Sequence, residues 1–203
     1  MQGLAAVETV AYENAILGWH WLNAAGTLAK YGGDEPTVKV EAGKTYAVDG
    51  VISACNRGLH GSVRAIDALV HAPGPIICRV KSWGAVSRER NKYATSHREV
   101  LWMADATKVL REFAASCAER ALDRQEAAGR KVHPDSRNAV AVARKFARGE
   151  ATEEELAAAW DAARAAAWAA ARAAARDEEV EWQNAQLTAL LESLAPAEFA
   201  SGS

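Results

Sequence analysis

The sequence predicts an α+β protein, in which a small, mainly antiparallel β-rich domain (residues 1–103) precedes a helical hairpin or bundle (104–195) and a tail (196–203). Two observations support this fold class. The first half contains short β-branched or alternating runs separated by glycine and proline, which is typical of strands joined by turns. After Asp105 the apolar residues recur at helical spacing, and alanine, the best helix former, becomes frequent.

The strands of the first half are predicted from short apolar or β-branched runs. Residues 76–80 form the clearest strand, and residues 96–103 form the next. Residues 37–41 and 44–49 are joined at a glycine and predict a hairpin. Residues 1–18, in contrast, have a weak helical spacing of apolar side chains and predict a helix.

Alternation along a strand also predicts which side chains share a face, because successive side chains point to opposite sides of a sheet. In the segment GWHWL, Trp19 and Trp21 fall on one face and His20 on the other. Val100 and Trp102 are likewise predicted to share a face. The sequence therefore indicates a β-rich core that contains several tryptophans.

Helix starts and stops are predicted from capping residues and glycines. Ser62 is placed as the N-cap of a short helix, and Asp105 as the N-cap of a longer one that stops at Gly129. Asp135 is predicted to cap a third helix, which stops at Gly149.

A long alanine-rich helix is predicted from a capping box at residues 152–155 to about residue 194. It contains the repeat AAAWDAAR (157–164) and AAAWAAAR (165–172). The repeat predicts one helix face that carries Trp160, Arg164, Trp168 and Arg172. We consider two interpretations of this face: packing against the preceding helices, or binding a partner protein or a second copy of the chain.

Composition excludes several classes of function. The net charge of -2 gives no general attraction to nucleic acid or to an anionic membrane. Cys55, Cys78 and Cys117 are widely spaced without a CxxC pair, so we expect free thiols rather than disulfides or zinc ligands. No apolar run reaches the roughly 18 residues of a membrane span, and the N-terminus lacks the pattern of a secretory signal. We expect a cytoplasmic protein without metal, cofactor or membrane association.

The segment GLHGSVRAIDALVHAPGPIICRV (residues 58–80) belongs to a pattern that covers most of the chain. The other parts of this pattern are Trp21-Leu22, Lys92, Arg98-Glu99-Val100-Leu101-Trp102 and the alanine/tryptophan/arginine repeat. The pattern resembles a family of uncharacterised bacteriophage and prophage proteins, with Gly61 where the family has alanine. The resemblance implies phage origin and the cytoplasm of an infected host cell, and it implies no catalytic residues.

From this resemblance we expect a phage-encoded accessory protein that acts by binding a host or phage protein. Interference with a host process or defence system is the purpose that such an origin favours. A virion-associated structural protein is an alternative, and it predicts a homo-oligomer formed through the C-terminal helix.

The order of His20, a Gly-Leu-His segment ending at His60, a short helix, a strand and Glu99 also resembles ADP-ribosyltransferases. In this enzyme alternative, His20, His60 and Glu99 are the candidate catalytic residues. The resemblance predicts that these three side chains meet in one concave pocket.

His60 and Ser62 lie at a predicted strand-to-helix turn, where free backbone N–H groups can bind an anion. Cys55 or Ser62 beside His60 could also form a nucleophile pair. The alternative is a histidine whose ring hydrogen-bonds to backbone and fixes the turn.

Six basic residues lie between positions 79 and 98, and Trp83 and Tyr93 are interspersed among them. These basic residues are Arg79, Lys81, Arg88, Arg90, Lys92 and Arg98. They could contact phosphates while the aromatic rings stack on bases. We favour the alternative of a solvated outer face of a hairpin, because charged side chains are usually exposed.

Overall fold

The structure is a computed structural model that describes residues 7–28, 38–54, 56–152, 154 and 176–199. The chain divides into two compact units, one formed by residues 1–106 with 191–203 and the other by residues 107–190. A curled antiparallel sheet lies in the first unit, and the long helices belong mostly to the second half of the chain. The predicted α+β fold class is therefore confirmed.

The first unit contains eight described strands, one short α-helix and two 3-10 turns, the second of which is Ala197–Phe199. The strands are β1 (Val7–Val10), β2 (Ile16–Leu22), β3 (Thr27–Leu28), β4 (Val38–Lys39), β5 (Thr45–Ala47), β6 (Leu59–Gly61), β7 (Ile76–Arg88) and β8 (Tyr93–Asp105). The short helix is α1 (Ala65–Leu69). A single 3-10 turn, Tyr12–Asn14, separates β1 from β2.

The sheet is built on the long hairpin of β7 and β8. Strands β1 and β2 follow one another along the free edge of β7, and β5 and β6 both pair with β8. Strands β3 and β4 pair separately with each other. All of these pairings are antiparallel, as the sequence predicts for this half.

The sheet curls until β6 returns to β2. The backbone N–H of Trp19 donates to the Ser62 carbonyl at 2.8 Å, and the Ser62 N–H donates back to the Trp19 carbonyl at 3.1 Å. Strands β2, β7, β8 and β6 therefore form a closed circuit, which we call the ring. The register of β7 and β8 is irregular at two places, between Arg79 and Val80 and between Trp83 and Val86. Such β-bulges bend the strands and help the sheet to curl.

Two separate groups of buried side chains lie on the inner and outer faces of the ring. The inner face packs the buried side chains of Leu22, Val40, Cys78, Val80 and Val100. On the outer face, Trp19 and Trp102 are buried edge to face, with ring centroids 5.8 Å apart. Trp19 pairs with Arg79, and the next residue, His20, pairs with Cys78, which confirms the predicted alternation.

One register irregularity overturns the prediction that Val100 and Trp102 share a face. Val100 pairs with Val80, whereas Trp102 pairs with Arg79. Since residues 79 and 80 are consecutive in β7, their side chains point to opposite faces. The extra residue in β8 therefore sends Trp102 to the outer face and leaves Val100 on the inner one.

The second unit contains α2 (Thr107–Ala127), α3 (Pro134–Arg148) and most of α4 (Arg176–Glu192). Arg144 of α3 forms ion pairs with Glu112 at 3.1 Å and Glu119 at 2.7 Å, both on α2. Arg120 of α2 pairs with Glu179 of α4 at 3.0 Å. These contacts join the helices through half-buried charges.

The predicted C-terminal ends of the helices in this unit are confirmed, but the helices begin at other residues than predicted. Gly129 and Gly149 follow α2 and α3 with φ of +72° and +80°, a left-handed backbone that favours glycine. Asp105 is the last residue of β8, and α2 begins two residues later at Thr107. The N-cap of α3 is His133, whose ring accepts a hydrogen bond from the Asp135 N–H.

Three other predictions in the first half are wrong. The described part of the segment predicted as a helix, residues 7–18, contains β1, the 3-10 turn and the start of β2, because β7 pairs with both strands. The predicted hairpin does not form, since β4 pairs with β3 and β5 pairs with β8. Ser62 is not a helix cap: its backbone closes the ring, and Arg64 precedes α1 without a side-chain cap.

None of the described helices is both long enough and apolar enough to cross a bilayer.

Candidate functional site

Arg98 of β8 lies on the inner face of the ring and is fully buried, with 0% of its surface exposed. Its Nη1 donates to the His60 carbonyl at 2.9 Å. Its Nε and Nη2 have no hydrogen-bond partner in the described part of the chain. Arg98 was predicted to belong to a basic surface patch, and its burial corrects that prediction.

The groups around Arg98 are neutral. Burial raises the pKa of the Cys78 thiol to about 12, although the charge of Arg98 opposes this shift. Burial likewise raises the pKa of the Tyr93 phenol. Burial lowers the pKa of Arg98 itself, but an arginine guanidinium stays protonated in proteins. The inner face therefore holds a positive charge that none of these neighbouring groups, within the described residues, balances.

The charge of Arg98 acts on two histidines. The ring of His20 hydrogen-bonds to the backbone of His60, and burial holds its pKa well below 6.5, with further lowering by the charges of Arg98 and His60. Burial also lowers the pKa of His60, and Lys92 and Arg98 add to this effect. Both rings are therefore uncharged at neutral pH.

His60 fixes the segment that leads into β6. Its Nε2 lies 2.9 Å from the carbonyl oxygen of Ala54. This is the contact expected from the turn-fixing alternative. The second residue of the predicted anion site, Ser62, is 2% exposed, and its N–H is bonded to Trp19, so that N–H is not free for an anion.

Glu99 lies apart from the two histidines. It follows Arg98 in β8, so its side chain projects from the outer face while Arg98 projects from the inner one. Its Oε2 accepts a hydrogen bond from the Tyr12 hydroxyl at 3.2 Å. The structure brings His20 and His60 together but does not place Glu99 in the same pocket.

The basic residues between Arg79 and Arg98 lie at separate places in the structure. Arg79 stacks over Trp19, with Cζ 4.5 Å from the ring centroid, and Arg88 pairs with Glu8 at 2.6 Å. Lys92 pairs with Glu89 at 3.5 Å.

Arg90 is exposed in the turn between β7 and β8, whereas Arg98 is buried. These residues do not form one continuous basic face. The arrangement supports neither a phosphate-binding groove nor a uniform solvated face.

An aromatic cluster, which the sequence does not reveal, lies on the outer face. Tyr12 contacts Trp83 edge to face, with centroids 4.9 Å apart and planes at 88°. Trp83 stacks on His97 at 5.7 Å, and the Lys81 Nζ lies 3.6 Å from the Tyr12 centroid. Tyr12 is 49% exposed, so the cluster reaches solvent.

We call this cluster, together with two neighbours, the aromatic patch. Its members are Tyr12, Leu17, Lys81, Trp83, His97 and Glu99. Strand register assembles it, because Leu17 pairs with Lys81, Lys81 pairs with Glu99, and Trp83 pairs with His97. The one signal in the sequence is Trp83, which stands between basic residues in a strand-like stretch.

Several candidate residues lie outside the described part of the chain. These residues are Cys55, Trp160, Arg164, Trp168 and Arg172. Within the described ranges, no group of three or more His, Cys, Asp or Glu side chains is arranged to hold a metal ion.

No protein-family model, no curated protein and no solved structure matches this chain. Function is therefore inferred from the geometry and chemistry of the two faces of the sheet.

Proposed function

We propose that this chain is a phage-encoded accessory protein that binds a host or phage protein through the aromatic patch. The observation that supports this proposal best is the contact between Tyr12 and Trp83 on an exposed part of the sheet. Tryptophan and tyrosine dominate the energetics of protein–protein interfaces. Interference with a host process or defence system is the role that phage origin favours.

The patch has the properties of an interface centre. The stacked rings of Trp83 and His97 hold each other in place, so binding would restrict few additional torsions. Lys81 and Glu99 place one charge of each sign beside the rings. A partner of matching chemistry has an apolar centre, with a carboxylate opposite Lys81 and a basic group opposite Glu99.

The same geometry favours binding over the two main alternatives. An ADP-ribosyltransferase-like site would gather His20, His60 and Glu99, and these lie on two faces of the sheet. Binding of nucleic acid would need uncompensated cations along one face, and the strand cations Arg79 and Arg88 are engaged with Trp19 and Glu8.

The test is capture of a partner from bacterial host lysate, followed by calorimetry with the purified partner. We expect Trp83→Ala to weaken binding at least about 30-fold, as for an interface hot spot worth about 2 kcal/mol. The matched control is Val51→Ala, which truncates an apolar side chain that is 77% exposed. We expect that control to bind within about twofold of wild type.

Two further results would overturn this proposal. If the partner binds Trp83→Ala normally but not the double variant Trp160→Ala/Trp168→Ala, the binding surface is the alanine-rich helix. If no partner is captured and the purified chain forms a stable symmetric oligomer, the virion alternative is supported instead.

A further inference from the structure

The hydrogen-bond donors of Arg98 that have no partner are arranged in a specific geometry. Nη1 is satisfied by the His60 carbonyl, and the two nitrogens without a partner are Nε and Nη2. These two N–H groups lie on one edge of the planar guanidinium. That edge presents two parallel donors, and it matches the two oxygens of a carboxylate or phosphate group.

The rest of the ring does not supply such an anion. Cys78 and Tyr93 are the ionisable neighbours of Arg98 on β7 and β8, and burial raises the pKa of both. The nearest acidic residue in sequence, Glu99, projects from the opposite face. A buried charge without a partner is costly and rare in folded proteins, and functional sites are where such charges are retained.

The surroundings of Arg98 suit a polar ligand. The hydroxyl of Tyr93 lies 3.4 Å from Ser82 Oγ, and both residues are buried. His20 lies on the same face as Cys78 and keeps part of its surface exposed, and its neutral ring can donate or accept hydrogen bonds.

We propose that the ring is a binding site for a small oxyanion, whose carboxylate or phosphate group is held by the Nε and Nη2 edge of Arg98. This site is independent of the aromatic patch, because the two lie on opposite faces of the sheet. It assigns to Arg98 a ligand-binding role rather than a surface-charge role.

The first experiment measures thermal unfolding of the full chain in acetate, phosphate or sodium chloride at matched ionic strength. We expect one of the two oxyanions to raise Tm saturably, by about 5 °C at roughly 100 times its Kd, relative to chloride. A response to acetate alone identifies a carboxylate ligand, and a response to phosphate identifies a phosphorylated one.

Variants connect this effect to Arg98. We expect Arg98→Met to lose the anion-dependent rise, and Arg98→Lys to weaken affinity at least about tenfold, because an ammonium cannot offer two parallel donors. The matched control is Arg90→Met, which removes an exposed arginine from the turn between β7 and β8. This control should keep the full rise.

A second measurement does not depend on any variant folding. In ¹H–¹⁵N spectra of the wild-type protein, the Arg98 Nε–H resonance should shift saturably with the same anion. The proposal is overturned if that resonance does not move with acetate or phosphate. It is also overturned if Arg98→Met shows the same rise in Tm as wild type.

Discussion

At the scale of single residues, Tyr93 fills the space over two glycines of the ring, Gly18 and Gly61. A Cβ built on Gly61 would lie 2.7 Å from the Tyr93 hydroxyl oxygen and 2.8 Å from its Cζ. A Cβ on Gly18 would also contact that hydroxyl, and it would lie 2.9 Å from the Ser62 carbonyl oxygen. Tyr93 is 2% exposed, so its ring has little room to move.

We therefore expect Gly61→Ala to lower the free energy of unfolding by about 1–3 kcal/mol, the usual cost of overfilling a packed site. Urea denaturation of the purified variant measures this change. An undisturbed Gly61→Ala would show that Tyr93 can be repositioned.

The double variant Gly61→Ala/Tyr93→Phe provides the control for this clash. Removing the phenol oxygen takes away the closest contact but leaves the one to Cζ, so we expect part of the lost stability to return. If Tyr93→Phe instead adds its own full cost to that of Gly61→Ala, the loss does not arise from this contact.

At the scale of secondary-structure elements, the closure of β6 against β2 determines which residues are inside. The closure consists of the two backbone hydrogen bonds between Trp19 and Ser62. It places His60 beside His20 and brings the His60 carbonyl to Arg98. Without it, the inner face would be one side of an open sheet.

Amide hydrogen exchange tests the closure directly. We expect the N–H groups of Trp19 and Ser62 to exchange as slowly as those in the centre of β7 and β8, because all of them are hydrogen-bonded within the sheet. The comparison group is the exposed loop around Gly50 and Val51. Exchange of the Ser62 amide at the rate of this loop would mean that the ring is open in solution.

At the scale of the whole molecule, the buried histidines make stability depend on pH. In the unfolded chain a histidine binds its proton near pH 6.5, whereas burial holds the pKa of His20 well below that value in the folded protein. Below pH 6.5 the unfolded state therefore binds more protons than the folded state. The contribution of His20 to stability is complete above this pH and decreases as the pH falls.

We expect the free energy of unfolding to fall between pH 6.5 and 5 by at most about 1.4 kcal/mol per pH unit for each buried histidine. Denaturation midpoints measured across this range provide the test, and His20→Gln should reduce the slope. The control is Val51→Ala, which changes an exposed side chain that carries no titratable group and should leave the slope unchanged. Equal slopes for wild type and His20→Gln would contradict this account.

The sequence by itself determined the elements whose signals are local. The α+β class, the strands around residues 80 and 100, and the helix ends at Gly129 and Gly149 follow from residue pattern and backbone preference over a few positions. The burial of Cys78 follows from the same kind of local apolar run.

Only the tertiary structure decided which strands pair and which side chains meet. Strand pairing joins segments far apart in the chain, and a one-residue irregularity reverses the faces beyond it, as it does between Val100 and Trp102. Arg98 appears in the sequence as one more surface cation, because burial depends on the closure between Trp19 and Ser62. Both proposed sites depend on such long-range contacts, and no local pattern specifies them.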